Sequence, residues 1–169
     1  MSTFAKTQEA LNKFAKYVIQ QSKSNLSKQK RNASGNLYGS LGYDLNVTPN
    51  AFSLEFYMAD YGQFVDEGVH GSKSSYIESK KSPYNFSGRY KTIPTTAQEK
   101  RTVTKGIAPR DEQGRFISRQ SLKYIIAKSI YEKGIKASLF FTKPFEKAFD
   151  NLPPELIEKF GLDIDDLLE

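Results

Sequence analysis

Ala51-Phe52-Ser53-Leu54-Glu55-Phe56-Tyr57-Met58 alternates apolar and polar residues with a period of two. Phe52, Leu54, Phe56 and Met58 fall on one side and Ser53, Glu55 and Tyr57 on the other, the signature of a half-buried β-strand. Just before it, Thr48-Pro49-Asn50 reads as a turn, because proline presets its own backbone angle and asparagine tolerates a left-handed one. Residues 37–47 read as the partner strand. The result is an antiparallel hairpin with one wet face.

Working towards the N-terminus, the period changes. Leu11, Phe14, Ala15, Val18, Ile19 and Leu26 recur at steps of three and four, which predicts one long helix over residues 3–31 with a single apolar face. Ser2 or Thr3 is placed to cap its start, and Lys23, Lys28, Lys30 and Arg31 crowd its negative end. Gly35 is expected to stop it, in a left-handed conformation.

Towards the C-terminus, Tyr61 to Gly68 fits either a third strand or a helical turn. Residues 69–92 show no period, and a loop this long in a compact domain is usually functional or orders against a partner. A short helix is possible after Pro94, and a second polar loop surrounds Pro109. Helix resumes from Ser118 to Lys133, with Leu122, Ile125, Ile126 and Ile130 facing the sheet and Gly134 as its stop. Pro144 suits the opening of a helix over 145–152, which Pro153-Pro154 then interrupts. The fold class is therefore α+β: a small, mostly antiparallel sheet flanked by the long N-terminal helix and a second helix, with long inserted loops and a C-terminal helical extension. The expected organisation is one domain over residues 1–152 and an acidic extension over 153–169.

Composition narrows the chemistry. The chain has 169 residues, enough for a core of its own. It contains no cysteine, so disulfides and thiolate chemistry are excluded. Met1-Ser2-Thr3-Phe4 runs into polar, lysine-bearing sequence, so no secretory signal is expected, and no stretch has the length and apolarity of a membrane span. Twelve Phe and ten Tyr supply aromatic surface for a core and for interfaces. The net charge of +6 is unevenly placed: from Glu146 onward eight acids face two lysines, so residues 1–145 carry +12 and the remainder −6. Such a division suits a nucleic-acid binder, and equally a contact between copies in which unlike patches meet.

Catalytic signatures are weak. His70 is the single histidine and lies in Gly68-Val69-His70-Gly71, away from any nucleophile-elbow sequence. Asp66-Glu67 would point to opposite faces of a strand and has no further ligand cluster beside it. Gly35, Gly39 and Gly42 lack the Gly-Lys-Ser/Thr of a phosphate loop. Neither a catalytic residue, a cofactor nor a metal is expected. The best binding signal is the interleaving of Lys73, Lys80, Lys81, Arg89 and Lys91 with Tyr76, Tyr84, Phe86 and Tyr90, joined by Arg110 and Arg115 in the second loop. These residue types contact phosphates and stack on bases, or meet a neighbouring protein. A nonspecific nucleic-acid-binding module built on loop 69–92 is thus one reading.

Three segments supply another. Ser34-Gly35-Asn36-Leu37-Tyr38-Gly39-Ser40-Leu41 resembles the "(T)G-x-L-x-x-S-(I/L)" segment of the tail-component or neck-protein family of tailed double-stranded DNA bacteriophages. Tyr61-Gly62-Gln63-Phe64-Val65-Asp66-Glu67-Gly68 is similar to that family's "Y-x-x-(Y/F)-(V/L)-E-x-G-(T)", with Val69 where threonine is common. Phe141-Thr142-Lys143-Pro144-Phe145 is similar to its closing "(R/K)-P-F-L-x-x-A", with Glu146 in place of an apolar residue. The positions that carry the likeness are Gly35, Leu37, Ser40, Leu41, Tyr61, Phe64, Val65, Glu67, Gly68, Lys143, Pro144 and Phe145. The insertions at 69–92 and 103–117 and the extension after Pro153 depart from the pattern.

The resemblance implies a structural, non-enzymatic virion protein, made in the host cytoplasm and built into the neck or upper tail. It implies a homo-oligomeric ring that completes the tail or joins it to the head. The implied partners are copies of itself, adjacent connector or tail-tube proteins, and passing double-stranded DNA held without sequence preference. No membrane is implied.

Overall fold

The computed structural model describes residues 4–31, 34–48, 51–73, 76–86 and 110–168. The architecture is α+β, with six helices and two short antiparallel ladders among the described residues. It divides into two compact units, Met1–Gly62 with Leu139–Glu169, and Gln63–Ser138.

The first unit is organised by helix α1, Ala5–Lys28, whose predicted stripe is buried from Ala10 to Leu26. Strands β1, Gly42–Thr48, and β2, Ala51–Tyr57, pair antiparallel with Leu45 opposite Leu54 and Tyr43 opposite Phe56. The alternation in β2 is realised: Phe52, Leu54 and Phe56 are half-buried, and Ser53, Glu55 and Tyr57 are exposed. Helices α5, Thr142–Phe149, and α6, Leu152–Leu168, complete the unit. Phe14 of α1 meets Phe56 of β2 and Phe145 of α5 edge-on, at centroid distances of 6.1 and 5.7 Å. Phe56 in turn meets Phe141 and Phe145 at 5.4 and 5.8 Å. Edge-to-face pairs add about 0.5–1.5 kcal/mol each to the area they bury, so this aromatic cluster is what joins helix, sheet and α5.

Four local expectations are corrected. Residues 36–40 form a short helix, α2, and the strand begins only at Gly42. Leu37 and Leu41, four apart and both buried, share one face in this short helix as they would in a strand, so their spacing alone does not choose between the two. Secondly, α1 ends well before Gly35. Lys30 takes the left-handed position (φ 53°), its N–H donates to Ser27 O, and Arg31 N–H donates to Leu26 O, the double closure of a Schellman motif. Gly35, at φ 73°, begins α2 instead.

Thirdly, Pro153 and Pro154 do not interrupt a helix. They occupy the first turn of α6, where backbone N–H groups have no intrahelical partner to lose. The expected boundary after residue 152 therefore falls inside a helix that docks on α1, and the acidic C-terminus is not peripheral. Pro144 behaves alike, buried in the first turn of an α5 that begins at Thr142. Finally, the N-cap position of α1 is Phe4, at φ 62° and without a side-chain cap. Ser2 and Thr3, the expected caps, lie outside the described residues, as do Pro49 and Asn50 of the hairpin turn and the helix expected after Pro94.

In the second unit, α3, Gly62–Glu67, shows that the 61–68 segment is helical. Strand β3, Val69–His70, pairs antiparallel with β4, Gly134–Ile135, directly after α4, Arg119–Lys133. Ser118 caps α4 by accepting from Ser121 N, and Gly134, at φ 83°, stops it as expected. The sheet beside α4 in its own unit is the β3–β4 ladder. Of its predicted apolar face, Leu122, Ile126 and Ile130 are half-buried, whereas Ile125 is exposed.

Candidate assembly surfaces

The three family-like segments are mainly corners of the scaffold. Leu37 and Leu41 are buried, and Ser40 Oγ donates to Leu37 O while accepting from Ala59 N at 2.9 Å. That hydroxyl ties the turn after Gly35 to the end of β2. A side chain at Gly62 would run into Met58 and Leu37, so glycine there lets the second segment leave tightly. Pro144 is buried, and Phe145 belongs to the aromatic cluster. Tyr61, Phe64 and Lys143 are exposed.

Gly68 has the strictest requirement. It sits at φ 78°, and a Cβ would strike Ile135 O, Ser79 Oγ and Ala137 N. Ser79 is buried, donates to Ile135 O at 2.7 Å and accepts from Ala137 N at 3.0 Å. Beside it, Val65 O accepts from both Ser138 N and Ser138 Oγ. Nothing local in the sequence marks Ser79 as buried, because it is a lone serine in a largely polar stretch. Asp66 is buried and Glu67 half-buried, and since α3 is a helix the opposite-faces argument for this pair does not hold.

Loop 69–92 is largely tied down where it is described. His70 N donates to Tyr84 O and Phe86 N to His70 O, so residues 84–86 run alongside β3. Ser82 Oγ donates to Gly68 O, and the His70 ring lies 3.0 Å from Ser82 O through Nε2. Phe64 packs edge-on against Tyr84, centroids 4.6 Å apart, and Tyr84 Oη donates to Gln63 Oε1. Residues 69–73 and 76–86 are thus held by bonds within the chain. Arg89, Tyr90 and Lys91 lie outside the described residues, as do residues 103–109 of the second insertion.

The remaining basic candidates differ in what they do. Lys73 pairs with Glu132 at 2.7 Å, and this hydrogen bond, outweighing desolvation, holds the Glu132 carboxyl below the usual range. Arg115 pairs with Asp111, whose carboxylate also accepts from the backbone N–H groups of Gln113 and Arg115. Those bonds, the Arg115 backbone one first, lower the Asp111 pKa. Arg110 stacks over Phe116 at 4.1 Å and donates to Gly114 O. The 110–116 segment is therefore a self-closed turn whose arginines serve its own geometry. Lys80, Lys81 and Tyr76 remain exposed.

Among the described residues no group of three or more His, Asp or Glu is placed to hold a metal ion, and no helix is long and apolar enough to cross a membrane. What the surface does display is large apolar side chains: Phe116 is 69 % exposed, Ile157 75 %, and Tyr124 and Ile125 of α4 54 % and 53 %. No family model matches the chain, and neither does any curated protein or solved structure.

Proposed function

We propose that this protein is a structural virion component of a tailed bacteriophage. It forms a homo-oligomeric ring in the neck or upper tail that completes the tail or joins it to the head, connecting the head-side connector to the tail and lining the DNA passage. The reading is of a scaffold and not an enzyme, with no cofactor. The observation that carries it is the set of three ordered segments whose residues serve as corners: Gly35 and Gly68 at positive φ, and Pro144 in a helix's first turn. Corners set the angle between elements, and in a head-to-tail ring the rotation per subunit decides closure. Two further features support it. Among the described residues neither edge of the β1–β2 hairpin has another strand beside it, and large aromatic and aliphatic side chains stand exposed on both units.

Electron microscopy of the full chain mixed with head and tail particles tests the reading. The expected result is a ring layer of fixed symmetry at the head-tail junction; particles that join without incorporating the chain overturn it. A DNA titration addresses the nucleic-acid alternative. Contact with passing DNA predicts weak, salt-sensitive binding by the isolated subunit, and tight binding at moderate salt favours the alternative.

A further inference from the structure

The outer face of α6 combines apolar surface, acid and an unexplained glycine. Ile157 projects into solvent, Glu158 is exposed beside it, Gly161 lies one turn on and the exposed Asp165 one turn further. Across α6, five acids accompany one lysine. Of the acids, Glu155 lies 3.7 Å from Lys13, Asp163 is bonded to Thr7 and Asp166 to Lys6, while Glu158 has only a 3.9 Å approach from its neighbour Lys159. Gly161 is the informative residue. A Cβ there would meet nothing within 4 Å, and its φ is not in the left-handed region. The chain's own fold gives no reason for a glycine that costs a helix interior about 1 kcal/mol relative to alanine. A close approach from outside gives one.

The outer face of α4 is the complement. Ser121, Tyr124, Ile125 and Lys128 stand on consecutive turns and are all exposed. The helix carries four bases and one acid, and that acid, Glu132, is paired with Lys73. Each helix thus presents about two turns of surface, apolar at the centre, one rimmed by acid and the other by base. Opposite rims steer and register a contact, and a large aromatic is the usual anchor for a shallow site.

We infer that the α6 face around Gly161 docks the Tyr124–Lys128 face of α4 from a second copy of this chain, in a head-to-tail contact. This rests on the assembly reading and names the surfaces that would carry it. Because the two faces differ, the contact is heterologous, the kind that closes into rings or propagates.

Sedimentation of the full chain at several concentrations and salt levels is the test. The native chain is expected to self-associate, less so at high salt. Gly161→Leu and Lys128→Glu are each expected to weaken association about tenfold or more; Gly161→Leu should leave the unfolding midpoint undiminished, and Lys128→Glu should lower it only slightly, because the new carboxylate faces Glu132 one turn on. An equimolar mixture of the two variants is expected to form dimers that do not grow, one good α6 face meeting one good α4 face. Association equal to the native chain's in both variants, or a mixture that stays monomeric, overturns the contact. So does a native chain that is monomeric throughout. If both variants still enter the ring layer as readily as the native chain, the contact fails and the ring reading stands; a chain missing from the particle removes the ring reading itself.

Discussion

The Asp163 carboxylate accepts a hydrogen bond from the Thr7 hydroxyl at 2.7 Å and from the Thr7 backbone N–H at 2.8 Å, across a separation of 156 residues. Its other oxygen accepts from Lys6 N at 3.1 Å. Lys6 and Thr7 are the second and third residues of α1, whose N–H groups a capping side chain normally satisfies. The cap of α1 is thus supplied by the C-terminal helix. Lys6 Nζ reinforces it by pairing with Asp166 at 2.8 Å, a bond that raises the Lys6 pKa.

Removing this carboxylate is expected to cost more than an exposed cap. Asp163 is 4 % exposed. Asp163→Ala should lower stability by about 1–2 kcal/mol, measured by urea unfolding of the full chain. Thr7→Val should cost less, and the double variant less than the sum of the two. Strict additivity would mean the two groups do not interact in solution.

Acid should release the clasp. Burial pushes the Asp163 pKa up, but the Thr7 hydroxyl, the Thr7 and Lys6 N–H groups and the Lys6 charge together hold it below the usual carboxylate range. A carboxylate depressed in the folded state contributes stability that is fully present above about pH 4, the ordinary value in the unfolded chain, and is lost as pH falls through the lower folded value. Unfolding midpoints measured from pH 7 down to pH 2 should fall less steeply below pH 4 for Asp163→Asn than for the native chain. Identical slopes would contradict the assignment.

Lys30 is the left-handed residue that closes α1, at φ 53°. A side chain there costs roughly 1 kcal/mol that glycine avoids, part of it offset by glycine's greater freedom when unfolded. Lys30→Gly is therefore expected to raise stability by about 0.5 kcal/mol, read as a higher melting temperature. A lower one would show that the lysine side chain does more than occupy the turn.

Gly68→Ala should be among the most damaging single substitutions in the second unit. The new methyl meets two backbone groups and the Ser79 hydroxyl at a φ that L-residues avoid. A loss of about 2 kcal/mol or more is expected. Gly114→Ala, also at positive φ but with open space around it, should cost less. Comparable losses at both sites would mean that strain alone, and not the crowding at Ser79, sets the effect.

Elements with a strong local period were legible in advance. The α1 stripe and the β2 alternation involve only residues a turn or a pleat apart, so adjacent side chains carry the signal. The helix start at Ser118 and the stop at Gly134 are local in the same sense. Residues 36–40 were not legible, because Leu37 and Leu41 suit either a strand or a turn until Ser40 is seen holding Ala59. The run 69–92 shows no period because its described part is ordered by single bonds from His70, Ser79 and Ser82 to distant backbone atoms.

The candidate surfaces divide in the same way. Charge asymmetry, the scarcity of catalytic groups and the order of the three segments are properties of composition and spacing, and the chain alone determines them. Which side chains remain outside is decided by packing. Ile125 belongs to the same apolar arc as Ile126, yet only the folded chain leaves it in solvent. The acidic C-terminus shows the same dependence, reading as an extension beyond the domain until α6 is seen against α1. A buried carboxylate is stable only where several donors converge on it, and the donors from Lys6 and Thr7 reach Asp163 only after the fold has brought the two ends of the chain together.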